Sequence, residues 1–83
     1  MKVTMKLFAS LANCLPAGAV KNQVDVETSK DATILELLDH HSVPRGACHL
    51  VLLNGVFQAP SSRGRTKLTE GDVVAVWPPV AGG

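Results

Sequence analysis

One stretch of this sequence repeats its apolar residues at helical spacing, and alternating segments lie on both sides of it. In "DATILELLDHH", Ile34, Leu37 and Leu38 form an apolar stripe of α-helical period. Thr33 and Glu36 fit the Thr-x-x-Glu capping box, in which each side chain satisfies the other's free backbone N–H at a helix start. His40 and His41 fall in the last turn, where positive charge suits the helix dipole. Pro44 and Gly46 in "SVPRG" then end the helix.

The flanks read as strands. In "KVTMKLF", Val3, Met5 and Leu7 face one way and Thr4, Lys6 and Phe8 the other, which leaves Phe8 on the side expected to be wet. "QVDVET" alternates again with Val24 and Val26 inward, after a loop closed by Pro16 and Gly18. "HLVLLNGVFQ" places two apolar runs around Asn54-Gly55, the strongest short-range hairpin signal. "APSSRGRT" reads as a polar, solvated loop. A turn at Glu70-Gly71-Asp72 feeds a strand from Val73 to Trp77, which Pro78 and Pro79 end because neither donates a ladder hydrogen bond. The order strand, strand, helix, strands predicts an α+β domain with one main helix packed on one face of a mixed sheet.

At 83 residues there is room for one modest core and little material for a deep cleft. A net charge of +1 argues against a nucleic-acid partner held through phosphates. No apolar stretch approaches the roughly 18 residues a membrane span needs. Lys6 interrupts what would be the apolar part of a signal peptide, so the expected location is cytoplasmic. Cys14, Cys48, His40, His41 and His49 match no metal-ligand spacing, and no metal is expected. The acidic residues show no paired arrangement, and there is no phosphate loop and no nucleophile with a base. The chain reads as something other than an enzyme by itself.

The closing segment "LNGVFQ…KLTEGDVVAVWPPVAGG" resembles the ubiquitin-like sulfur carriers, which include the small subunit of molybdopterin synthase and the thiamine-pathway sulfur carrier. The matching residues are Asn54, Leu68, Gly71, Asp72, Pro78, Pro79, Val80, Gly82 and Gly83. The length and the Pro-Pro pair are similar to the molybdopterin branch, while "HHSVP" after the short helix is similar to the thiamine branch. The resemblance implies a ubiquitin-like β-grasp domain of four to five strands over residues 1–77 and a flexible tail over 78–83. It also implies a reaction at the tail. An activating enzyme uses ATP to adenylate the Gly83 carboxylate, and sulfur from a sulfur-donor enzyme converts it to a thiocarboxylate. An acceptor synthase large subunit then receives that sulfur, and no cofactor is held stably.

Residue chemistry suits that use. Gly82 and Gly83 lack a Cβ, so a partner's active site can approach the reacting carbonyl closely. Pro78 and Pro79 favour an extended segment that loses little entropy on insertion, and Val80 and Ala81 are small enough for a narrow channel. Phe8, Phe57 and Trp77 align with partner-facing positions of the molybdopterin synthase small subunit and are expected to form an exposed patch beside the tail. The alternative place for them is the core, the usual fate of aromatics. Transfer to a thiazole precursor, conjugation to lysines as a ubiquitin-like modifier, and an unreactive binding module are the competing functions.

Overall fold

In the computed structural model, which describes residues 1–79, five strands and one α-helix follow the anticipated order. The strands are β1 (Lys2–Leu7), β2 (Gln23–Glu27), β3 (Leu50–Leu53), β4 (Val56–Phe57) and β5 (Val73–Trp77), with α1 spanning Ile34–His40. They form one mixed sheet in the order β2-β1-β5-β3-β4. β1 and β5 run parallel at its centre and the other neighbours are antiparallel.

Alternation decides what each face carries. Val3, Met5, Leu7, Val51, Val74 and Val76 turn to one side and join Ile34, Leu37 and Leu38 of α1 in a single buried cluster. The helix starts where the capping box requires: Glu36 N–H donates to Thr33 Oγ1 at 3.2 Å and Thr33 N–H to Glu36 Oε1 at 2.9 Å. Two more free N–H groups of its first turn are met from the 58–66 loop. Ile34 N–H donates to the Thr66 carbonyl and Leu35 N–H to that of Arg63, both at 3.1 Å. His41 caps the C-terminal end rather than lying within the helix.

The "LNG" and "LTEGD" segments interlock. Asn54 and Gly55 both adopt positive φ (50° and 83°), the geometry that closes a two-residue hairpin in register with the strand twist. The Asn54 side chain donates to Asp72 Oδ1 at 2.9 Å and accepts from Val73 N–H at 2.8 Å. Asp72 in turn accepts from Thr69 N–H at 2.8 Å. The hairpin turn and the turn that launches β5 are thus one hydrogen-bonded unit, which explains why these residue types occur together.

Two expectations need correcting. "ASLANC" is a 3₁₀ helix over Ala9–Cys14 instead of an open loop, with Leu11 turned into the core. The basic loop is not simply solvated, because Arg63 is buried.

Candidate functional site

α1 covers one face of the sheet and leaves the other open. On the open face a row of paired residues crosses all five strands as Gln23, Lys6, Ala75, Leu52 and Phe57. It is polar over β2 and β1 and apolar from β5 outward. The next row towards the C-terminal end of β5 pairs Trp77 with Leu50.

Phe8 follows β1, and its N–H donates to the Val76 carbonyl at 3.1 Å. Ala9 at φ 52° then turns the chain away. This arrangement sets the Phe8 ring flat against Trp77, with centroids 4.4 Å apart and planes 5° from parallel. Both rings are half-buried and stand outside the core cluster. Phe57 is 56 % exposed on the same face. It pairs with Leu52, one strand beyond β3 and one row back from Trp77, so it lies apart from the stacked pair and is joined to it by an apolar surface. Beside the stack, Ala9, Ser10, His49, Leu50, Trp77, Pro78 and Pro79 line a mainly apolar groove of about 530 Å³.

Leu50, Leu52 and Ala75 were not singled out from the sequence. Their signal was present, since Val51 inward forces Leu50 and Leu52 outward, but the unbroken run "LVLL" conceals the alternation. Pro78 is half-buried and Pro79 exposed at the foot of this surface. The other tail residues of interest, Val80, Ala81, Gly82 and Gly83, lie outside the described residues.

Among the described residues no group of three or more His, Cys, Asp or Glu could hold a metal ion. Burial pushes the Cys48 thiol up against the lowering influence of Arg63, and its Sγ donates to the Pro44 carbonyl at 3.3 Å, so it is poorly suited to act as a nucleophile. His41 is held below the ordinary imidazole range by burial and then by His40, whose ring meets it edge-on at 5.1 Å. A second hollow between the end of β2 and α1 carries Glu27, Glu36 and Asp39 and shares no lining residue with the groove beside the aromatic stack. No helix of the described residues is long and apolar enough to cross a membrane.

Comparison with known proteins agrees with this architecture. The chain shares 31% identity with SAMP1 from Haloferax volcanii over 100% of both chains, at a TM-score of 0.68. The Haloferax volcanii HVO 2177 protein is similar at 26% identity, over 100% of this chain and 87% of the other, with a TM-score of 0.74. A chain from the protein–protein complex of subunits 1 and 2 of molybdopterin-converting factor from Helicobacter pylori shares the fold, at 22% identity over 100% of both chains and a TM-score of 0.62. A search of curated protein sequences gives no significant match. The model of the ThiS family matches residues 5–83. With its mixed five-stranded sheet and single main helix, this ubiquitin-like β-grasp chain belongs to the ThiS family.

Proposed function

We propose that this protein is a cytoplasmic sulfur carrier whose reacting group is the Gly83 carboxylate. An activating enzyme joins that carboxylate to AMP from ATP, releasing pyrophosphate. A sulfide-equivalent sulfur delivered by a donor enzyme then displaces AMP and leaves a thiocarboxylate. The carrier donates this sulfur in molybdopterin biosynthesis, as the small subunit of a complex with an acceptor large subunit, and is not an enzyme alone. The observation that carries the reading is the family match, which runs through Gly82 to Gly83.

The open face supports it physically. The Phe8–Trp77 stack, Leu50 and Leu52 place an apolar surface at the foot of Pro78 and Pro79, where a partner receiving the tail would make contact. Exposed apolar clusters of this kind mark interaction sites, and aromatic side chains make strong anchors. The Pro-Pro-Val-x-Gly-Gly ending favours the molybdopterin branch over thiazole synthesis.

A second reading, a ubiquitin-like modifier joined to lysines, is favoured by the 31% identity to SAMP1, a small archaeal modifier protein. The test is the intact mass of the protein after incubation with host extract, ATP and a sulfur donor. The expected result is replacement of one oxygen by sulfur, lost when Gly83 is deleted or one residue is added after it. No such change in an extract active on a known carrier overturns the sulfur reading. A ladder of lysine conjugates on a denaturing gel favours the modifier.

A further inference from the structure

We propose that Arg63 is a positioning residue for the C-terminal segment: its buried guanidinium fixes the peptide unit that holds Trp77, and so sets the direction in which Pro78 and Pro79 leave the sheet. The functional consequence rests on the sulfur-carrier reading; the structural one does not.

Arg63 is the one buried charged side chain among the described residues, at 5 % exposure. The ion pairs found there, Met1 with Glu27 and Arg45 with Asp39, do not involve it. Its partners are backbone carbonyls on two separate segments. Nε donates to Gln58 at 3.1 Å, Nη1 to Cys48 at 2.7 Å and Nη2 to His49 at 3.4 Å. Removing a cation from water to meet neutral carbonyls is costly, and an apolar side chain of similar length would fill the space without that cost. An apolar side chain could not hold two successive carbonyls in a fixed orientation, which the planar guanidinium does.

The peptide unit it grips is the one that matters for the tail. The Cys48 carbonyl and the His49 N–H belong to the same planar trans peptide and point in opposite directions. Arg63 takes the carbonyl end. The N–H end donates to the Trp77 carbonyl at 3.1 Å, shared with the Ala47 carbonyl at 3.1 Å. Two hydrogen bonds through one peptide polarise each other. The Trp77 carbonyl in turn belongs to the peptide that leads into Pro78, whose ring fixes φ near −65°. Orienting that carbonyl therefore orients the first rigid step of the exit. Neither proline that follows has an N–H to donate to the sheet, and among the described residues no backbone hydrogen bond to their carbonyls follows this one. Arg63 is anchored from behind as well, because its own carbonyl accepts from Leu35 N–H in the first turn of α1.

The test compares Arg63→Met and Arg63→Lys with Leu37→Ala, a core variant of α1 that loses stability without touching this relay. Three quantities are read at a temperature where all variants are folded: amide hydrogen exchange at His49, fluorescence of Trp77, which is the chain's only tryptophan, and KM and kcat for thiocarboxylation. Arg63→Met is expected to speed exchange at His49 by at least about tenfold relative to Leu37→Ala, and to shift Trp77 emission to the red. It should also raise KM for the carrier more than it lowers kcat. Arg63→Lys, with a point charge in place of the fork, should restore these only in part. If Arg63→Met does not fold, Arg63→Lys takes its place against the same control. Exchange and emission indistinguishable from Leu37→Ala overturn the proposal. Failure of the wild-type protein to become thiocarboxylated defeats the sulfur-carrier reading alone and leaves the exchange result to judge Arg63.

Discussion

Two neighbouring rows of residues cross the same five strands and point to opposite faces of the sheet. Val24, Met5, Val74, Leu53 and Val56 make one row, and Gln23, Lys6, Ala75, Leu52 and Phe57 make the other. The first turns to the helix side, where Met5 and Val74 at its centre are wholly buried, while Val56 on the edge strand is 63 % exposed. The second faces away and changes from polar to apolar halfway across. A seven-residue helix can cover only one side of such a sheet. Met5 and Val74 on the covered side belong to the core, whereas on the open side Ala75 is buried, Leu50, Leu52 and Trp77 are half-buried and Phe57 is exposed. On the proposed function, the comparison separates residues that make the fold from residues that a partner would contact.

The strongest way to break this contrast is Met5→Ala. Truncating a wholly buried methionine should cost about 2–5 kcal/mol in thermal or denaturant unfolding, with partner affinity unchanged where the variant is still folded. An equal loss of affinity would mean that the two faces are not separable. Trp77→Ala should do the reverse, lowering affinity for the activating enzyme by about 2 kcal/mol in a binding titration, with a smaller loss of stability than Met5→Ala. Phe8→Asp sharpens the same point, since it should weaken binding and leave the domain folded. An unfolded Phe8→Asp would return Phe8 to the structural side of the comparison.

A smaller effect is expected at the turn that joins the apolar strands. Burial raises the Asp72 carboxyl, but hydrogen bonds from Asn54 and Thr69 outweigh it and hold the group below its usual value. The folded state therefore binds this proton less readily than the unfolded chain. Its contribution is complete above about pH 4 and is lost as pH falls through the lowered value. Asp72→Asn should reduce stability at neutral pH by no more than about 1 kcal/mol, given solvent screening, and should flatten the acid limb of a stability–pH curve. A curve of unchanged slope would remove Asp72 from the set of stabilising charges.

Much of the fold was legible because its signals are local. The alternation of "KVTMKLF", the Thr33–Glu36 box and the Asn54-Gly55 turn each act within a few residues, and each appears where expected. The 3₁₀ helix over Ala9–Cys14 was not, since one inward leucine in six residues gives no period to read. At the site, the outward phase of Phe8 was visible from alternation alone. The separation of Phe57 from the stacked pair was not, because it depends on β3 lying between β4 and β5.

The sequence by itself determined the strands and the α-helix, the helix start, the hairpin and the apolar side of β1 and β2, because periodicity and backbone preferences are properties of neighbouring residues. Tertiary structure decided the rest. The parallel pairing of β1 with β5 joins residues near opposite ends of the chain, and only that pairing brings Phe8 onto Trp77. The burial of Arg63 needs Cys48, His49 and Gln58 to present their carbonyls to one point. No local pattern encodes either event, because the energy of a stacked ring or a buried cation depends on groups that become neighbours only when the chain has folded.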